Sequence, residues 1–167
     1  MFVMLVGYAQ SSGKTSSSVS VGNDGNPCPG AATVTDIDNN TYTTVQIGTQ
    51  CWMRENLRTT RYADGTSIPM GNSISETSCR YAPDDNKSKV TKYGYLYNWP
   101  AMMHGSRSSD SNPSGVQGIC PDGWHVPSDA EWTQLTNYVS SQSEYVRGNT
   151  EKKYCQVVSV NRRVGQQ

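Results

Sequence analysis

The chain has 167 residues, 34% of them apolar and 17% charged, which suits one domain with tails and a thin core. Its 14 basic and 14 acidic residues cancel, at a pI near 6.7, so bulk charge gives no reason to propose nucleic acid or an anionic membrane as a partner. Tyrosine (10) and tryptophan (4) outnumber phenylalanine (1), a bias toward aromatics with a polar edge that suits ordinary β-sheet packing as well as sugar-like or protein surfaces.

The apolar run Met1-Phe-Val-Met-Leu-Val, followed by Gly7-Tyr-Ala-Gln10, reads as the end of a signal peptide with small residues placed for cleavage after Ala9. The run is short and no basic residue precedes it, so residues 1–9 are expected to be the remnant of a longer signal that starts upstream. No stretch is long enough to span a membrane, and no cysteine near the site offers a lipid anchor. Residues 10–32, rich in Ser and Gly, are predicted to be a flexible leader whose end is pinned by Cys28, between Pro27 and Pro29.

From Thr33 the pattern turns to short strands. Thr33 to Asp36 and Thr41 to Ile47, with Val45 and Ile47 alternating against polar neighbours, predict a hairpin around Asp38-Asn39-Asn40. Asp36, Asp38 and Asn40 mimic the first ligands of a calcium loop, but Thr41 stands where that loop needs Gly and Ile47 where it needs Glu. Asx-turn chemistry explains the residues without a metal. Gly48-Thr49-Gln50 predicts a turn, Cys51 to Leu57 a strand, and Arg58 to Tyr62 a further strand before Asp64-Gly65. Residues 70–92 read as polar and irregular, anchored by Cys79, and Tyr93 to Trp99 as an aromatic strand leading into a helical turn at Ala101 to His104. The loop Gly105 to Gly118 is long enough that it should be either functional or disordered. A helix over about Asp129–Gln142 then has a mechanism, because Ser128 and Glu131 form a capping box and Trp132, Leu135 and Val139 share one face.

The five cysteines contain no Cys-x-x-Cys pair, which speaks against structural zinc. Disulfides fit an exported chain, with Cys28, Cys51, Cys79 and Cys120 as candidates. Neither His104 nor His125 lies in a catalytic motif, Glu131 is explained by the cap, and Cys120 has no local activating base, so no catalytic constellation and no cofactor site is predicted. On the aromatic-plus-carboxylate chemistry of sugar sites, the candidate ligand contacts are Trp52, Glu55, Asn56, Trp99 and Trp124. For Glu55 and Asn56 a second reading stands beside it: polar groups that tie a loop to the core look the same in sequence.

Three stretches, Asp36 to Thr66, Tyr93 to Trp99 (Tyr-Gly-Tyr-Leu-Tyr-Asn-Trp) and Cys120 to Trp132 (Cys-Pro-Asp-Gly-Trp-His-Val-Pro-Ser-Asp-Ala-Glu-Trp), together resemble the Fibrobacter succinogenes major paralogous domain, a family of exported and surface-associated proteins. The resemblance covers about Val34 to Asn149. It implies an α+β fold related to the C-type-lectin-like and formylglycine-generating-enzyme-like class, with short antiparallel strands and long irregular loops; it brings no catalytic residues. The end of the chain departs from that pattern. Permitted codons for the residues from Lys152, read one nucleotide later, spell Lys-Asn-Ile-Ala-Lys-Ser-Leu-Ala-Ser-Thr-Glu-Gly-Trp-Ala-Asn, which is similar to the family's continuation. The expectation is therefore residues 33–151 as the N-terminal part of the domain and 152–167 as an out-of-frame tail, with Cys155 an accident of the shift. The functional expectation is a non-enzymatic exported binding module, present as a truncated copy, with a glycan or a surface protein as partner. The competing expectations are a fragment of a formylglycine-generating-type enzyme and a structural envelope protein.

Overall fold

A computed structural model describes residues 25–72 and 75–142. The signal remnant, most of the leader, Cys155 and the 152–167 tail lie outside the described residues.

Alternation along the hairpin decides which side chains meet. Strand β1 (Thr33–Thr35) pairs antiparallel with β2 (Thr41–Ile47), which pairs antiparallel with β3 (Gln50–Met53). Side chains on a strand point alternately to opposite faces, so Tyr42 and Met53 enter one core while Val45, Ile47 and Trp52 enter another on the opposite side of the same sheet. The β1–β2 turn uses Asx chemistry: Asp36 Oδ1 accepts from the backbone N–H of Asp38 and of Asn40, at 2.9 Å each, and Asp36 Oδ2 accepts from the Tyr42 hydroxyl at 2.6 Å. Burial and the Asp36 carboxylate both push the Tyr42 hydroxyl far above the usual tyrosine range, so it stays a donor. Asp38 is drawn upward by burial, yet the Thr60 N–H, the Thr60 hydroxyl and Arg61 outweigh this and lower its carboxyl below the ordinary value.

The principal core gathers Tyr42, Met53, Leu57, Tyr62, Ile68, Tyr97, Met102, Ile119, Cys120 and Trp124. The second core forms where helix α3 (Asp129–Ser141) lies on the sheet, with Leu135 and Val139 against Trp52 and the Trp132 ring centroid 4.8 Å from that of Trp52. The helix face expected from Trp132, Leu135 and Val139 is therefore the one that packs. Gln50 Nε2 donates to the Glu131 carbonyl at 2.9 Å, and Gln134 Nε2 to Thr49 Oγ1 at 2.9 Å, which ties the β2–β3 turn to the same helix. Gly48 in that turn has φ +60°, and a Cβ there would lie 3.0 Å from the Tyr138 ring. Mixed helices and small antiparallel sheets make the fold α+β.

Several local expectations are corrected. Residues 58–62 form no strand: the Thr60 N–H and hydroxyl go to Asp38, leaving an isolated bridge between Arg61 and Ser67. Strand β3 stops at Met53, because Glu55 turns back to take the Thr43 N–H at 2.8 Å and the Thr43 hydroxyl at 2.7 Å. The stretch 70–92 is not irregular throughout: it holds strand β4 (Arg80–Tyr81), 3₁₀ turns at Pro83–Asp85 and Lys87–Lys89, and helix α1 (Val90–Tyr93). Of the aromatic run only β5 (Leu96–Tyr97), paired with β4, is strand, because Gly94 at φ +71° breaks the chain direction against Asn56 and the Leu57 carbonyl. Helix α3, by contrast, runs over the expected range, Asp129–Ser141 with Gln142 as its cap.

The leader is structured at its end. Gly25 and Asn26 bond Gln46 of β2, and the buried Cys28 donates its N–H to Thr44 Oγ1 at 3.0 Å. Cys28 and Cys51 form a disulfide across 23 residues of sequence, while Cys79 and Cys120 are buried free thiols. Cys120 is enclosed by the principal core, where burial pushes its thiol well up and disfavours the thiolate. Replacing Cys28 and Cys51 together by serine is expected to cost about 3 kcal/mol, the loop entropy the bridge removes from the unfolded chain. The difference in urea-unfolding free energy between the two oxidised proteins checks it; a loss under about 1 kcal/mol would mean that the bonds around Thr44 hold the leader without the bridge.

Candidate functional site

The site is built from the start of helix α2, the loop after it and the start of α3. Helix α2 (Trp99–Met103) begins two residues before the expected Ala101 because Asn98 caps it, accepting the Ala101 N–H at 3.1 Å, with Pro100 in the first turn. The same Asn98 side chain accepts the Cys79 N–H at 3.0 Å and donates to the carbonyls of Ser75 at 2.9 Å and Thr77 at 2.6 Å. So held, the helix buries Ala101, Met102 and Met103 and turns Trp99 outward, where it is 51% exposed. His104 ends the helix in the left-handed region, its ring stacked at 3.6 Å on Tyr62.

The second half of the loop from Gly105 to Gly118 is tied down at Asn112, Ser114 and Val116, the last through its carbonyl to the Val126 N–H at 2.8 Å. Asn112 Nδ2 donates to Gln134 Oε1 at 2.7 Å, and the Asn112-Pro113 peptide is cis. Ser114 donates its N–H to Glu131 Oε2 at 3.1 Å and its hydroxyl to the Val126 carbonyl. Glu131, buried at 2% exposure, also accepts the Ser128 N–H at 3.0 Å in the capping box, and its Oε1 lies 2.7 Å from His125 Nε2. The N–H groups of Ser114 and Ser128 both fall on Oε2, which leaves Oε1 for the His125 ring. Glu131 thus joins the helix cap, the loop and His125 through one carboxylate.

Between these elements lies a pocket of about 190 Å³. Met103, Val116, Val126 and Pro127 give it apolar walls beside the Trp99 indole, and Ser108, Ser109, Asp110 and Asp129 bring hydroxyls and carboxylates. It is smaller than a typical pocket for a drug-sized ligand, with room for one ring rather than a chain.

Of the five expected ligand contacts, only Trp99 lines this pocket. Trp52 is 2% exposed beneath α3, Trp124 is 5% exposed in the principal core, Glu55 is engaged by Thr43, and Asn56 Nδ2 donates to the Tyr93 carbonyl at 2.9 Å. These four side chains do not converge with Trp99, and the fold-tying reading accounts for Glu55 and Asn56. Sequence reasoning missed Asp110, Asp129 and the bracing of the loop by Glu131. The one signal for them was the length of the loop itself. Among the described residues no group of His, Cys, Asp and Glu is arranged to hold a metal ion, and no helix is long and apolar enough to cross a membrane.

Neither the curated proteins nor the solved structures give a match to this chain. The family comparison does: residues 45–162, a span that takes in β3, the pocket elements and α3 and crosses Lys152, match the Fibrobacter succinogenes major domain. That span is well over half of the sequence, and the chain belongs to the Fibrobacter succinogenes major domain family.

Proposed function

We propose that this chain is a non-catalytic binding module of an exported or surface-associated protein, of the C-type-lectin-like class, and that the Trp99 pocket takes a glycan unit. The observation that carries the reading is the half-exposed indole of Trp99 beside a ring-sized pocket with apolar walls and a rim of serine and aspartate side chains. A sugar ring has the matching chemistry, with C–H faces that pack on an aromatic plane and hydroxyl edges that need hydrogen-bond partners. The Cys28–Cys51 disulfide supports export, because such bonds persist in oxidising compartments. The buried His125–Glu131 pair supports a non-catalytic role, since its carboxylate is consumed by the cap and the loop and neither residue lines the pocket.

Trp99→Ala should leave the unfolding temperature nearly unchanged, because the indole is open to solvent, and should weaken glycan binding about tenfold or more on an array. A wild-type protein that binds no glycan on the array overturns the reading, as does a Trp99→Ala variant that binds as well as wild type.

A further inference from the structure

Among the described residues, some carboxylates are engaged by the fold and others are not. Asp36, Asp38, Glu55 and Glu131 are saturated by donors from their own fold. Asp110 and Asp129, like Glu76 and Asp85, are exposed and have no hydrogen-bond or ion-pair partner among the described residues, but these two line the pocket that Trp99 overlooks. The pocket lining contains no Lys, Arg or His. His104, close by in the chain, faces Tyr62 and Asp64 instead, and Arg107 is not in the lining. Asp129 stands in the first turn of α3, where the helix dipole favours a negative charge, but nothing of that kind accounts for Asp110. An open indole also attracts cations through its ring quadrupole, so all three groups favour the same ligand charge.

We propose that the ligand of this pocket carries a protonated amine: the glycan unit it takes is a hexosamine with a free amino group, its ring laid on Trp99 and its ammonium facing Asp110 and Asp129. This rests on the glycan reading above and narrows it. A neutral hexose or an N-acetylated hexosamine offers the same ring face but leaves the two carboxylates without a counter-charge.

The test is calorimetric titration of the full chain with three tetrasaccharides: the β-1,4 glucosamine oligomer, its N-acetylated form and the glucose oligomer. The glucosamine oligomer is expected to bind about tenfold tighter than the other two, with an advantage that shrinks as salt is raised. Asp110→Asn with Asp129→Asn should abolish that advantage, and Trp99→Ala should weaken all three. Equal binding of all three oligomers overturns the free-amine inference and leaves the glycan reading standing. A glucosamine preference that survives the double Asp→Asn change also overturns it, since the attraction then lies elsewhere on the surface. Binding of none by the folded wild type overturns both.

Discussion

Glu131→Ala is expected to destabilise the domain by about 3–5 kcal/mol, the range for removing one partner from a buried charged network. The substitution leaves three buried polar groups without their partner: the Ser114 N–H, the Ser128 N–H and His125 Nε2. Each lies in a different structural unit, so the loss spreads. The α3 cap loses half of its box, the loop loses its inner anchor, and His125 is left in the core with nothing to bond. Ser128→Ala removes only the other half of the cap and should cost about 1 kcal/mol. Glu131→Gln keeps the shape but supplies one acceptor oxygen where two are used, and should fall between the two. Chemical-denaturation free energies of the three variants check the order; a Glu131→Ala loss no larger than that of Ser128→Ala would show that the bonds to Ser114 and His125 contribute nothing beyond the cap.

Gly118→Ala should be similarly damaging, by about 3–5 kcal/mol, through backbone alone. Gly118 has φ +54°, and a Cβ there would collide with the Met102 carbonyl oxygen and approach Val126 Cγ2 at 2.9 Å. The carbonyl cannot move aside cheaply, because it accepts the Ile119 N–H at 3.0 Å and belongs to α2. The change therefore separates the end of the loop from the helix that presents Trp99. Gly115, also at positive φ (+70°) but with nothing near its absent Cβ, is the control, and Gly115→Ala should cost about 1 kcal/mol. Thermal unfolding of the pair gives the comparison, and equal losses would mean that conformation rather than the clash sets the cost.

Much of the frame was legible because its signals are local. The hairpin through Thr33–Thr35 and Thr41–Ile47 follows from alternation and an Asx turn that spans a few residues. The α3 cap follows from Ser128 and Glu131, three positions apart, and its buried face from residues one helical turn apart. The errors have the same origin in reverse. Arg58 to Tyr62 has strand composition, but Asp38, 22 residues before Thr60, takes the Thr60 N–H that a strand partner would need. Cys79 and Cys120 have the right chemistry for bridges, and the fold buries both as free thiols among the described residues.

The candidate site was far less legible. Trp52, Trp99 and Trp124 are the same residue in comparably aromatic surroundings, and composition ranks them equally. Only the fold separates them, because exposure depends on what is laid over a side chain: α3 covers Trp52, the principal core encloses Trp124, and the Asn98 cap turns Trp99 to solvent. Asp110 and Asp129 stand nineteen positions apart and line the same pocket through the hold of Glu131 on Ser114, a contact between elements. The sequence by itself determined the hairpin, the capped helix and the family, since each is written in short-range spacing or in contiguous motifs. The tertiary structure decided which tryptophan is open, which cysteines bond and which two unpartnered carboxylates line the same pocket, since burial and juxtaposition belong to residues distant in the chain.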